Sequence, residues 1–319
     1  MELFIVWPFA LFLAAGLLGL VVGSFLNVVA YRVPIMMERA WREQCAEVAG
    51  EIPEGADARD SNVPASGQEA SSKAAPAHSD AQSDAPFNLL WPPSACPSCG
   101  HRIAPWQNIP ILSYVLLRGR CAHCAAPISK RYPIVEAAAA ILSLVAAYRF
   151  GPTWQLVAAL PFTWTLLALA LIDMDHKLLP DSITLPLLWA GLVLALFSAG
   201  GTPVFFTDLR SSVIGAAAGY TVLWVVFQLF KLLTGKEGMG YGDFKLLAAL
   251  GAWLGWQLLP LVILLSAGVG AVVGSALLFA SGKSRQTPIP FGPYLAAAGW
   301  IALLWGREIL AWYGGYFHT

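Results

Sequence analysis

Two aspartates stand where apolar segments break off, and their surroundings suit acid–base chemistry on water. Asp173 closes the long apolar run in ALALIDMDHKLLPD, and Asp243 follows the glycine loop GMGYG and opens the next apolar run, FKLL. Ionisable groups at such boundaries are costly to keep and mark function. Brought together, two carboxylates cannot both ionise cheaply, so they can share one proton. One then acts as base on a water while the other, protonated, polarises a scissile carbonyl, the chemistry of an aspartic peptidase. Gly238, Gly240 and Gly242 lack side chains and would let a substrate backbone or a partner helix approach Asp243 closely. An equal alternative is that the loop merely turns the chain and Asp243 caps the following helix.

The other boundary acids have plainer explanations. Asp175 lies two residues from Asp173, so a helix turns it to another face, and it reads as a solvated residue. Asp181 follows Pro180 and precedes an apolar run, which suits a helix cap. Glu237 sits beside Lys236 and reads as solvated, whereas Glu136 reads as a buried partner for a cation or a backbone group, not a catalyst. Glu2, Asp208 and Glu308 fall at the opposite boundary.

A second chemistry lies in the cysteines. CPSC at Cys96–Cys99 and CAHC at Cys121–Cys124 form two Cys-x-x-Cys pairs. Each lets two thiolates reach one ion from a tight turn, and together they complete a tetrahedral sulfur shell for structural Zn2+. Four thiolates leave no position for a reactive water, so this zinc should hold structure only. Cys45 has no partner pair, and His101 and His123 are unnecessary as ligands.

The elements that must position these groups are helices in lipid. Of the 319 residues 57% are hydrophobic and 12% charged, about half the charge a soluble surface needs. The lipid bilayer must therefore cover much of the exterior. With 19 basic and 19 acidic residues, no basic field points to nucleic acid. Apolar windows at about 3–30, 134–150, 153–172, 182–199, 212–233, 244–256, 258–281 and 291–312 predict an all-α polytopic membrane protein of about eight helices. The window at 244–256 is short and interrupted by Gly251 and Gly255, which leaves a count of seven open. The run Leu3–Ala30 is too long for a signal-peptide core and is expected to stay as the first span.

Basic residues cluster in or beside 31–133, 173–181, 234–243 and 282–290, which orients the N-terminus to the periplasm and these segments to the cytoplasm. The expected layout is a first span at 1–30, a largely mobile cytoplasmic insert at 31–86, a zinc-binding domain at 87–133 and a transmembrane core at 134–319. The part from Glu38 to Pro86 is too poor in apolar residues to offset its ordering entropy, save a short helix around 38–49. The reducing cytoplasm argues against disulfides among the four cysteines.

Several motifs in order now carry a resemblance. GSFLNVVAYRVP at 23–34, FNLLWPPSACPSCG through NIPILSYVLLRGRCAHC to ISKRYPIVE, IDMDHKLLPD at 172–181, GMGYGD at 238–243 and PIPFGPYLA at 288–296 resemble the bacterial type IV prepilin peptidases. The resemblance covers nearly the whole chain except the insert. It implies catalytic roles for Asp173 and Asp243, and a prepilin or pseudopilin substrate whose basic leader ends in Gly. It further implies cutting at the cytoplasmic face of the inner membrane, in pilus or type II secretion systems. It also implies methylation of the new amine from S-adenosylmethionine, although no glycine-rich motif marks a site for the methyl donor. Two rivals remain: a presenilin-like peptidase that cuts within the bilayer, and a transporter using the aspartates as an ion relay.

Overall fold

Lipid offers the backbone no hydrogen bonds, so a chain this apolar satisfies its own amides as helices. The computed structural model describes residues 8–50, 87–104, 107, 109–236, 239–281 and 290–315. In order these form α1 (Pro8–Gly50), the short α2 (Leu112–Leu116), α3 (Arg131–Phe150), α4 (Trp154–His176), α5 (Asp181–Leu194), a two-stranded hairpin of β1 (Ser198–Ala199) and β2 (Thr202–Pro203), α6 (Leu209–Thr234), α7 (Tyr241–Leu254), α8 (Leu259–Ser281) and α9 (Gly292–Gly315). Each of the eight apolar windows carries a helix. Six helices among the described residues are long and apolar enough to cross a membrane. α5 and α7, with 14 residues each, reach only about 21 Å at 1.5 Å per residue, short of a hydrocarbon core of about 30 Å.

The first helix departs from expectation. It runs on past residue 30, through Pro34, to Gly50. Arg32 is buried, and its guanidinium donates to the carbonyls of Asn88, Leu89 and Pro92. The cation is thus satisfied by a folded loop instead of water. Beyond it the helix turns polar, with Glu38 and Arg42 paired one turn apart. The remainder of the insert, 51–86, lies outside the described residues.

The core gathers around α7. Phe244 and every residue from Leu246 to Leu254 are buried, with α5, α6 and α9 packed against them. Lipid is as apolar as leucine, so close packing and interhelical hydrogen bonds hold such helices together. At the α6–α7 crossing the backbones touch: a Cβ on Gly215 would lie 2.3 Å from the Gly251 carbonyl oxygen, and one on Gly219 2.5 Å from that of Leu247. Ser212 Oγ donates to the Ala252 carbonyl, and Trp253 Nε1 to that of Leu187 on α5. Gly19 and Gly23 of α1 meet the backbone of α3 in the same way. Gly215→Val is therefore expected to lower the melting temperature of the detergent-solubilised protein, because overpacking costs about 1–3 kcal/mol. A Cβ at Gly268 meets nothing within 4 Å, so Gly268→Val should leave the melt unchanged.

Candidate active site and cysteine centre

α4 ends at His176, and Lys177 takes the left-handed conformation (φ 54°) with its N–H on the Asp173 carbonyl. That turn sends Leu178–Pro180 back toward the bundle before α5 begins. Asp173 thus lies in the last turn of α4, buried, and its Oδ2 accepts the N–H of Gly292, the first residue of α9, at 2.9 Å. Asp243 is the third residue of α7 and is also buried, its carboxyl over Gly240. Gly240 takes the N-cap position, and the Asp243 carboxyl reaches back to the Gly240 backbone, so this acid also serves the start of α7. The two ends that carry the aspartates are neighbours. Gly242 shows how: a Cβ there would stand 2.7 Å from Cβ of Leu179, so its bare backbone lets the two aspartate-bearing segments close on each other. Gly238 and Glu237 lie outside the described residues.

The neighbouring acids are tied to cations. Asp175 pairs with Arg131 at the start of α3. Asp181, expected as a cap, instead stands inside the first turn of α5, where Pro180 takes the cap position. Both its oxygens accept from Lys245 Nζ at 2.7 and 2.6 Å. This bridge joins α5 to α7 two residues beyond Asp243. Glu136 accepts the N–H of Ile111 at 2.7 Å, the backbone partnership its burial requires. It fastens the cysteine-bearing loop to α3, as Arg32 fastens it to α1.

The two cysteine pairs are built alike. Cys96 N–H bonds the His101 carbonyl and Cys121 N–H that of Ala126, while Gly100 and Ala125 N–H groups return to the carbonyls of Cys96 and Cys121. Gly100 (φ 70°) and Ala125 (φ 55°) both sit in the left-handed region that closes each turn. The rings of His101 and His123 stack at 4.6 Å beside the cluster. All four sulfurs lie within 4.8 Å of one another, and Cys96 and Cys124 Sγ are 3.8 Å apart. A tetrahedron with metal–sulfur bonds of about 2.3 Å has edges of about 3.8 Å, so the cluster fits a zinc ion. The backbone N–H groups of Ser98 and Cys99 pull the Cys96 thiol down to about 6. The Ala126 N–H also lowers the thiol of Cys124, but burial and the thiols of Cys99, Cys121 and Cys96 outweigh it and push the group up to about 11. Four sulfurs this crowded cannot all ionise without a cation among them.

Comparison with known proteins follows the same outline. The profile of the Bacterial Peptidase A24 N-terminal domain matches residues 17–150, and that of the Type IV leader peptidase family matches residues 160–275. The chain is 52% identical over 306 residues to the prepilin leader peptidase/N-methyltransferase of Pseudomonas aeruginosa, covering 96% of this chain and 94% of that protein. The proteins so named in Stutzerimonas stutzeri and Aeromonas hydrophila are 52% and 51% identical over the same shares.

The chain belongs to the type IV leader peptidase family.

No solved structure matches it. In this member of the family, three contacts around the two centres had no signal in the sequence. The Gly292 amide on Asp173 is a backbone donor and has no side-chain signature. Lys245 on Asp181 and Arg32 on the loop carbonyls are basic residues that read as flanking charge until their partners are known.

Proposed function

We propose that this chain removes the leader of type IV prepilins or pseudopilins and then methylates the exposed amine. The observation that carries the peptidase reading is the pair of buried carboxylates, Asp173 and Asp243, on neighbouring helix ends. A water held between them attacks the carbonyl of the residue before the cut, a glycine in the substrate the resemblance implies. One carboxylate takes the water's proton, and the other, protonated, donates to the carbonyl oxygen as it gains charge. Collapse of the tetrahedral intermediate then breaks the C–N bond, with the proton passed to the leaving amine.

Methyl transfer rests on the name shared by the relatives. S-adenosylmethionine, when bound, supplies an electrophilic methyl group for the new amine, and no residue here is assigned to it. The four thiolates of Cys96, Cys99, Cys121 and Cys124 would hold zinc as a structural ion. A filled sulfur shell binds no water for catalysis.

Topology follows from which ends meet. Asp173, Asp243, Asp181 with Lys245, and Asp175 with Arg131 share one end of the bundle, where Glu136 and Arg32 attach the cysteine loop. This is the end rich in basic residues, so we assign it to the cytoplasmic face of the inner membrane and the N-terminus to the periplasm.

Incubation of the detergent-solubilised chain with a prepilin, with and without S-adenosylmethionine, tests both activities by intact mass. Loss of the leader is expected in both arms and gain of one methyl only with the donor. An intact leader after full incubation would overturn the peptidase reading, and leader loss without methyl gain would overturn the second activity alone.

A further inference from the structure

We infer that Gly292 is a positioning residue for the reaction, its backbone amide holding Asp173 so that one carboxylate oxygen faces the water. This inference rests on the peptidase reading above. Asp173 lies at the last turn of α4 and Gly292 at the first residue of α9, 119 positions later. Both are buried, and the N–H of Gly292 points at Oδ2 from 2.9 Å. Among the described residues this is the hydrogen bond that carboxylate accepts, so Oδ2 is occupied and Oδ1 is the oxygen left for water.

Two physical features make the contact selective. The first N–H groups of a helix have no partner within it, and Gly292 opens a 24-residue helix whose positive end lies at this point. The amide can therefore serve Asp173 at no expense to α9. The position also excludes any side chain. A Cβ on Gly292 would stand 2.6 Å from Asp173 Oδ2 and 3.0 Å from its Cγ. Neither can yield without turning the carboxylate, since Asp173 is itself packed in. Any residue except glycine thus displaces the group that activates the water, which is a stricter demand than helix packing alone makes.

The same helix supplies the comparison that separates positioning from packing. A Cβ on Gly299 would meet Leu250 Cδ2 at 2.4 Å and Cγ at 3.1 Å, a side chain that is itself fully buried, so alanine there overpacks the core. Gly299→Ala perturbs the α9–α7 contact without touching a carboxylate.

The test measures prepilin cleavage by wild type, Gly292→Ala and Gly299→Ala in detergent, with methylation of an already trimmed pilin as an independent measure of folded enzyme. Gly292→Ala is expected to lower kcat about 100-fold, the cost of an ångström-scale misplacement, with KM and methylation each within about threefold of wild type. Gly299→Ala should keep kcat within about threefold. A third variant replaces Gly292 by glycolate, turning the amide into an ester. It deletes only the N–H and adds no Cβ, so it decides the matter even if Gly292→Ala does not fold. It should lower kcat about tenfold, the worth of one lost hydrogen bond to a charged group. Normal kcat in Gly292→Ala or in the glycolate variant, or an equal loss in Gly299→Ala, would overturn the assignment. Absence of cleavage by wild type would instead overturn the peptidase reading on which it stands.

Discussion

Asp173→Asn and Asp243→Asn should each reduce leader removal about 1,000-fold or more, to background in membranes, while the protein inserts and accumulates normally. The size follows from the work the pair shares: general acid–base catalysis contributes about 10²–10⁴-fold, and neither partner functions alone. Normal accumulation follows from burial. An uncharged amide of the same shape removes a desolvated charge and leaves no cavity, and in Asp173→Asn the side-chain carbonyl would still offer an oxygen to the Gly292 amide. The measurement is leader removal by gel shift or intact mass, normalised to the amount of enzyme in the membrane. Wild-type cleavage by either variant defeats the assignment. If the aspartates instead relayed ions in a transporter, cleavage would be untouched and a transport activity would vanish, so one pair of substitutions separates the two readings. A panel of substrates separates the remaining rival, since a presenilin-like enzyme would cut membrane helices and spare prepilins.

What the sequence made legible is what lipid imposes. Each apolar window became a helix, and even the short window at 244–256 was set apart by its glycines, because a chain in hydrocarbon has few alternatives. The structure shows the reason for its shortness: α7 is wrapped by α5, α6 and α9 and has little lipid to face. Both aspartates stood out because a carboxylate at such a boundary needs a reason, and the cysteines because two matched pairs are more specific than one. The approach of the two aspartate-bearing segments could only be supposed, since they are far apart in the chain and close on each other through contacts such as Gly242 on Leu179.

The misses share one cause, which is that a partner distant in sequence changes what a residue means. The apolar run stops at Ala30, yet the helix continues to Gly50, and the Arg32 guanidinium finds carbonyls 56 to 60 positions later. Asp181 resembled a cap, and its real partner Lys245 is 64 positions away. The Gly292 amide carries no side chain to notice at all. Local pattern reports the solvent a segment meets, whereas these contacts depend on which helix ends the fold brings together.

The second large effect concerns the sulfurs. A Cys96→Ser/Cys121→Ser double variant should purify with almost no zinc where wild type carries about one ion per chain, as expected of a four-sulfur shell that loses one ligand from each pair. The loop should then open to proteases between residues 87 and 130, because its two turns are held together by few apolar contacts: of the four cysteines only Cys96 is buried. The damage should stay local. Arg32 grips the loop at Asn88, Leu89 and Pro92, and Glu136 grips it at Ile111, and neither contact involves a sulfur. The bundle with Asp173 and Asp243 therefore keeps its geometry, and methylation is expected to fall further than leader removal. Metal content by mass spectrometry, limited proteolysis and the two activities measured side by side make the check. Unchanged zinc in the double variant would mean that the ion, if present, is held elsewhere, and loss of leader removal equal to that of Asp173→Asn would mean that the loop is part of the peptidase site and not an attachment to it.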